Sequence, residues 1–394
     1  MLEGASVLVV GVGNLQRVND GGWVAKAHIA SYLHELSDRL GGCVWVAEVG
    51  ETWDGDVPNT ESAATGRLDP RKIRVVPMQF GLSRAPQNCL LLLRELSGCR
   101  FAIFFLPAVL SMVPVLPLAR FWTTRMAVYL AGDFETPLEG EVGGKRTLWG
   151  MIYRAAFRTA MRVAHVIIAR GLFLANAARK FNRNVFETVP LGHMQTGTSP
   201  NPVELVSDEP RRILYMGLIR ESKGVGDLLH ALRALAERRP LPEIRLDILG
   251  HGPDRPGFED QAREFGLAGR VKFHGWVQDP ERIDRFITES HVVVMPSSHS
   301  EGVPRVIDEA LIRRIPVVAT RIGGVPDEFR DGEVLLVDPG APSQLADAIE
   351  EILFVPDIRR RYIEGADRRR QHWHGFTSAA DQHARILEGE ILSG

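Results

Sequence analysis

The chain has 394 residues, 45% of them hydrophobic and 24% charged, with a net charge of −2. That length suits two domains of ordinary size, each with its own core. No apolar run reaches the roughly 18 residues that a membrane span needs; the nearest, Phe101–Leu118, is broken by Pro107, Pro114 and Pro117.

Charge is unevenly spread. Residues 1–200 carry a net +5 and residues 201–394 a net −7, so the first half has the face that attracts an anionic partner. Cys43, Cys89 and Cys99 show no metal-ligand spacing, and so few cysteines suit a reducing, cytoplasmic setting.

At the amino terminus no charged region precedes an apolar signal core. Leu2–Gly11 reads instead as a first strand, its run Ser6–Gly11 buried on both faces of a parallel sheet. A loop is expected from Val12 to Gly22. Its Gly11-Val12-Gly13 lacks the third glycine of a dinucleotide fingerprint, because Gln16 stands there. Gly21-Gly22, ahead of an expected helix Trp23–Leu40, either lets backbone approach a ligand or makes a tight turn. Short strands are predicted at Cys43–Val49, Ile73–Pro77, Phe101–Leu106, Met126–Ala131, His165–Ala169 and Val185–Val189. Their alternation with helical or loop segments argues for an α/β domain.

Arg146, Arg154, Arg158 and Arg162 recur at four- and eight-residue intervals along one side of a predicted helix. Leu148, Ile152, Ala155, Thr159 and Val163 lie on another, with Trp149, Tyr153 and Phe157 near the basic ridge. Such a ridge suits a solvated surface, anionic lipid headgroups or a phosphorylated acceptor. Pro190–Pro210 reads as a linker, with a domain boundary near residue 200.

The second half restarts the pattern, with strands at Arg212–Met216, Ile244–Leu249, Arg270–His274, His291–Met295, Ile315–Ala319 and Val334–Val337. Arg220, Lys223, Gly250, Gly252, Trp276, Val277, Ser297, Glu301 and Gly323 all fall in loops after strands. In open parallel sheets that is where ligands bind. Two cations, a helix start and glycine-rich turns make a diphosphate cradle, and the turn at Trp276-Val277 offers a base somewhere to lie. Pro304 suits a first helical turn. Glu301 and Glu309 bracket that start; a phosphate would repel them, so they suit the hydroxyls of a ribose or a sugar. Three helices close the chain, at Gln344–Leu353, Asp357–Arg370 and Phe376–Glu390. Arg359–Arg361 and Arg368–Arg370 read as solvated faces, and His372 and His374 lack a third ligand for a metal.

These residues, in this order, resemble the retaining nucleotide-sugar glycosyltransferases of the GT-B fold, specifically glycosyltransferase family 4. The resemblance rests on Lys223-Gly224, Leu249–Pro253, Phe273–Val277, Met295-Pro296-Ser297, Glu301 and Glu309 with seven residues between them, Pro316–Thr320 and Gly323–Pro326. Over the first half it is thinner, resting on Gly21-Gly22, Val189–Gly192 and a closing helix around Trp373 and Phe376. It implies two Rossmann-like parallel-sheet domains facing across a cleft. Residues 1–200 would bind the acceptor and 201–372 the donor, with a C-terminal helix, 373–394, packing back on the first domain.

The implied activity is retaining transfer from a nucleotide-diphosphate sugar to a glycan or lipid-linked acceptor, in cell-surface polysaccharide or glycoconjugate synthesis. No metal or other cofactor and no nucleic-acid partner are expected. Arg220 and Lys223 would neutralise the leaving diphosphate, helped by the amides around Val303–Val306, with Gly302, Pro304 and Arg305 in the same donor-binding stretch. Glu309 would hold the ribose, Glu301 would face the donor sugar, and Gly21 and Gly22 would close over the diphosphate. Leu218 stands where the family often has arginine, no histidine follows Leu106, and His193-Met194 replaces a usual aspartate. Asp133 and His193 are what remains as acceptor-side candidates. The basic ridge of Arg154, Arg158 and Arg162 adds peripheral contact with the inner, anionic face of a membrane as an expectation. Two other readings stay open: a non-catalytic nucleotide-sugar-binding subunit, and a GT-B nucleotide-sugar epimerase.

Overall fold

The computed structural model describes residues 6–18, 21–49, 65–78, 85–106, 124–130, 148–188, 209–238, 244–277, 279–299, 303–373 and 378–389. The chain divides into two units, Met1–His193 with Phe376–Gly394, and Met194–Gly375. Among the described residues no helix is long and apolar enough to cross a membrane.

The strands of unit 1 are β1 (Val7–Arg17), β2 (Trp23–Lys26), β3 (Cys43–Val49), β4 (Thr65–Arg67), β5 (Ile73–Met78), β6 (Phe101–Leu106), β7 (Arg125–Leu130), β8 (Val166–Arg170) and β9 (Val185–Thr188). Seven of them form a parallel sheet in the order β5-β3-β1-β6-β7-β8-β9. The two-residue period of a strand sorts its side chains by face. Leu8, Val10, Val44, Val46, Phe104 and Val128 pack with Leu92 and Leu96 of α2 (Ala85–Leu96), Phe157 and Met161 of α3 (Leu148–Val163) and Leu174 of α4 (Gly171–Arg179). Val7, Val9, Trp45, Phe105 and Tyr129 pack with Leu33 and Leu36 of α1 (Ala27–Leu40) on the opposite face. Near-continuous apolar strands are what a sheet covered on both sides requires.

Two expectations are corrected here. The stretch from Val12 is not a loop, and Trp23 does not begin a helix. After a register shift between Val10 and Asn14, β1 stays paired in parallel with β3 through Leu15 and then pairs antiparallel with β2, Gln16 opposite Val24 and Arg17 opposite Trp23. A Trp-Val start favours an extended strand, and the Arg17 guanidinium lies 5.6 Å from the Trp23 ring centre. Gly21 therefore closes a hairpin, its N–H donating to the Val18 carbonyl at 2.9 Å with φ of +81°. On α3, Phe157 is buried in the core rather than beside the basic ridge, and Ala155 and Thr159 are exposed. Arg158 and Arg162 are exposed, Arg154 is half-buried, and the side chains of Trp149 and Tyr153 lie outside the described ones.

The C-terminal helix Ala379–Glu388 returns to unit 1 and buries Ala380, Ala384, Ile386 and Leu387 against α1. A ten-residue helix is marginal alone, so this burial, at about 1.5–3 kcal/mol for each large apolar side chain, holds it. His383 is locked within the contact. The Thr188 hydroxyl donates to Gln382 Oε1 at 2.8 Å, so it must accept from His383 Nε2 at 2.9 Å. That leaves Nδ1 to accept from the Tyr32 hydroxyl at 3.0 Å. The ring is a neutral Nε2–H tautomer with both nitrogens satisfied, and burial pushes its pKa down to about 3.

Unit 2 carries β10 (Arg211–Met216), β11 (Ile244–Leu249), β12 (Val271–Gly275), β13 (Val292–Met295), β14 (Val317–Thr320) and β15 (Leu335–Val337). All six are parallel, in the order β12-β11-β10-β13-β14-β15. Its helices are α5 (Val225–Arg238), α6 (Arg255–Glu264), α7 (Pro280–Thr288), α8 (Arg305–Ile312), α9 (Val325–Glu328), α10 (Pro342–Phe354) and α11 (Pro356–Trp373). Strand order reverses beside β10, and ligands of doubly wound sheets bind beyond the carboxyl ends at such a point.

The depressed pKa of His383 sets a sign. The folded state holds the ring neutral, so stability from this site is complete above the unfolded value near 6.5 and is lost as pH falls towards 3. Urea unfolding of unit 1 signals should lose about 1.4 kcal/mol per pH unit below 6.5 through this group. His383→Gln should flatten the slope between pH 6.5 and 5; an unchanged slope would show that His383 does not govern it.

Candidate functional site

The carboxyl ends of β10, β11 and β12 are tied together by backbone. The Gly217 N–H donates to the Leu249 carbonyl at 3.0 Å, Ile219 N–H to His251 at 2.8 Å, and Gly250 N–H to Gly275 at 2.9 Å. Pairing thus continues past the strands into the loops. Gly250, at φ +140°, and Gly252 are glycine because a Cβ there would overlap the carbonyl oxygens of Gly217 and Ile219. Both serve loop-to-loop packing. Gly224 is constrained in the same way against the Pro296 carbonyl.

Arg220 is exposed, and the chain after it makes a 3-10 turn, Glu221–Lys223. Lys223 N–H donates to the Arg220 carbonyl at 2.9 Å, Glu221 N–H to Asp254 Oδ2 at 2.8 Å, and Ser298 N–H to the Ser222 carbonyl at 3.0 Å. Two cations are therefore held on a short, braced turn between the ends of β10 and β13. Ser297 is 2% exposed, with its carbonyl accepting from the Thr320 hydroxyl at 2.6 Å, so its side chain belongs to the framework. Trp276 is 50% exposed, and its ring centre lies 5.4 Å from that of His251. The two rings form an aromatic shelf at the ends of β11 and β12, with half-buried Val277 next in the chain.

Helix α8 follows β13. Pro304 is its N-cap rather than its first helical residue, extended at φ −63° and ψ 125°, and no side chain caps the helix start. First-turn amides of such a helix remain available to an anion. Val303 and Val306 are buried and Arg305 is exposed. Glu309 is half-buried one turn further on, 3.6 Å from Arg305 Nη2. Burial pushes its carboxyl up, against the pull of Arg305 and Arg313.

The next residue inward carries a charge that the sequence did not single out. Asp308, 7% exposed, meets Arg369, 5% exposed, at 3.4 Å, and Arg369 Nη2 also donates to Glu328 Oε1, 1% exposed, at 2.5 Å. One arginine thus joins α8, α9 and α11. Burial opposes its charge, yet Asp308 and Glu328 hold its pKa above the ordinary range. Arg359 is buried too, Nη1 donating to the His291 carbonyl at 2.6 Å. The expectation of two solvated arginine faces on α11 is corrected for these two. Arg359, Tyr362, Ala366 and Arg369 share the three-four-three spacing of one buried stripe, and that spacing was the available signal.

Among the expected site residues, the structure gathers Arg220, Lys223, Gly250, Gly252, Trp276, Val277, Ser297, Val303, Pro304, Arg305, Val306 and Glu309 in the loops and helix beyond the strand ends of unit 2. Gly21 and Gly22 sit in the hairpin of unit 1, and Arg154, Arg158 and Arg162 on α3. Glu301, Gly302, Asp133 and His193 lie outside the described residues. No group of metal-ligating side chains occurs among the described residues.

Residues 201–369 match the family model described as Glycosyl transferases group 1. The chain is 33% identical over 181 residues to Alpha-D-kanosaminyltransferase of Streptomyces kanamyceticus, covering 45% of this chain and 46% of that one. It is 37% identical over 153 residues to Lipopolysaccharide core biosynthesis glycosyltransferase LpsE of Rhizobium meliloti (strain 1021), covering 39% and 42%. The chain spans less than half the length of these curated relatives. Among solved structures it resembles Anabaena Alr3699/HepE in complex with UDP, with a TM-score of 0.66, 16% identity, and 98% and 100% of the two chains covered. WaaG, a glycosyltransferase involved in lipopolysaccharide biosynthesis, gives a TM-score of 0.62 at 15% identity, with 97% and 100% covered. The fold is that of the GT-B glycosyltransferases. The residues that match the family model all lie in unit 2.

Removing the buried arginine should leave two carboxylates uncompensated. Arg369→Met is expected to cost about 3–5 kcal/mol of unit 2 stability in urea unfolding. The triple change Arg369→Met, Asp308→Leu, Glu328→Leu should recover most of it. A loss below 1 kcal/mol in the single variant, on the order of an exposed ion pair, would mean that the triad is solvated.

Proposed function

We propose that this protein is a retaining glycosyltransferase, moving a sugar from a nucleotide-diphosphate sugar to a glycan or lipid-linked acceptor. The observation that carries this reading is the convergence in unit 2. Two cations on a braced turn, the uncapped start of α8, the half-buried carboxyl of Glu309 and an aromatic shelf all lie at the carboxyl ends of one parallel sheet.

Each part has work that its chemistry suits. Negative charge develops on the diphosphate as the sugar leaves, and Arg220, Lys223 and the α8 amides meet it with fixed donors. The reaction on this reading requires no metal, because the two side-chain cations supply the charge. Glu309 accepts hydrogen bonds from the ribose, and the exposed face of Trp276 stacks on the base. Glu301 faces the donor sugar by resemblance to glycosyltransferase family 4. Retention follows from the same resemblance, with the leaving phosphate taking the acceptor proton on the face it departs from. HepE, whose structure is described in complex with UDP, and relatives named for lipopolysaccharide synthesis support a nucleotide donor and a polysaccharide or glycoconjugate product. Arg158 and Arg162, exposed on α3, suit a phosphorylated or lipid-linked acceptor at an anionic membrane surface.

Thermal unfolding against a panel of nucleoside diphosphates and their sugars tests the reading. One nucleotide at 100 times its Kd should stabilise by about 2.7 kcal/mol, and one of its sugars should be transferred with unchanged anomeric configuration by NMR. No stabilisation by any of them would sink the proposal.

Variants separate the roles. Lys223→Ala should lower kcat by about 10²–10³ while donor binding falls far less. Trp276→Ala should weaken the nucleotide by about 1–3 kcal/mol with kcat at saturation retained. Equal losses of kcat and affinity in both would place the cleavage step elsewhere.

A further inference from the structure

The other end of the unit 2 sheet carries a second cationic site. At the amino-terminal edge of β10, β11 and β12 a cavity of about 350 Å³ is lined by Arg212, Arg245, Asp247, Arg270, Lys272 and Phe286, among others. Arg212, Arg245 and Lys272 are each the second residue of their strand, and Arg270 immediately precedes β12. Arg212 and Arg245 are register partners on adjacent strands, where neighbouring backbones run about 4.8 Å apart and like charges oppose each other unfavourably.

The nearby carboxylates are already engaged. Glu289 Oε2 pairs with Arg212 Nη1 at 2.5 Å, and Asp247 Oδ1 meets His274 Nε2 at 2.5 Å. Arg245, Arg270 and Lys272 make no ion pair among the described residues. These cations collect in a half of the chain whose net charge is −7, so the local field runs against that of its surroundings. Arg270 is half-buried, and burial lowers its pKa, a cost that a bound anion would offset. Phe286 of α7, its ring centre 4.5 Å from that of His274, supplies an apolar wall.

We propose that this cavity binds a small phosphorylated anion, held by Arg245, Arg270 and Lys272, at a site distinct from the diphosphate cradle. The step from Arg212 to Met216 along β10 alone covers about 13 Å, so the two sites lie at opposite ends of the same strands. The volume sits at the lower end of small-molecule pockets and suits an inorganic pyrophosphate or a sugar phosphate. Guanidinium forks and an ammonium are the groups that recognise phosphate oxygens. The site does not depend on the transferase reading.

The test is calorimetric titration of sodium pyrophosphate into the full chain at constant ionic strength. The double variant Arg245→Gln, Lys272→Gln should lose at least tenfold in pyrophosphate affinity at this site, and it should leave nucleoside diphosphate binding and melting temperature unchanged. Lys223→Ala, which lowers kcat, should leave pyrophosphate binding at this site unchanged. Arg245→Lys, which keeps the charge, should retain binding within a few-fold and guards against a variant that merely misfolds. Identical pyrophosphate isotherms for the wild type and the double variant would overturn the proposal. So would equal heats from sodium chloride alone.

Discussion

The geometry of the candidate site depends on one buried charge cluster. Arg369 lies between Asp308 and Glu328, all three nearly excluded from water. Burying three charges is costly, and a pair of this kind is justified by specificity of placement more than by net stability. Here the placement concerns α8, whose start offers amides to an anion and whose next residue is Glu309. A guanidinium fork fixes orientation where an apolar contact would allow the helix to slide or turn. Glu309, proposed to face the ligand, is thus set by the neighbour that faces the core, Asp308.

The loops depend on backbone in a parallel way. Gly250 and Gly252 let successive turns approach until their amides and carbonyls pair beyond the strand ends. Arg220 and Lys223 then stand on a turn braced from β11 and β13 rather than on a free loop. Preorganised donors of this kind need little rearrangement when charge develops on a leaving group. On the proposed function, rigidity at the braced turn and exposure at Trp276 are complementary, since a base would be accommodated by stacking and a phosphate by fixed dipoles.

The sheet of unit 2 accordingly has two polar ends with different characters. Its carboxyl end uses amides, two cations and carboxyls, a mixture suited to a nucleotide sugar. Its amino end gathers arginines and a lysine with few carboxylates to spare. Strand direction separates the two, and register brings the second together.

Much of this was legible in the residues themselves. Apolar runs marked the parallel strands, because a strand covered on both faces must be apolar throughout. Glycines and cations after those runs marked the loops, because ligands gather where such strands end. The stretch Trp23–Lys26 misled, since its residues were read into the helix that follows, and its antiparallel partners in β1 and β4 decided for strand. Arg359 and Arg369 looked like surface charges because an arginine reads the same buried or exposed until its partners are known. The stripe they share with Tyr362 and Ala366 becomes decisive only once carboxylates from α8 and α9 are seen beside it. The sequence by itself therefore determined the parallel strands and the residue types at their ends, which follow from local period and residue type. Tertiary structure alone decided which charges meet, because pairing Asp308 with Arg369, or Arg212 with Arg245, depends on register and packing between residues far apart in the chain.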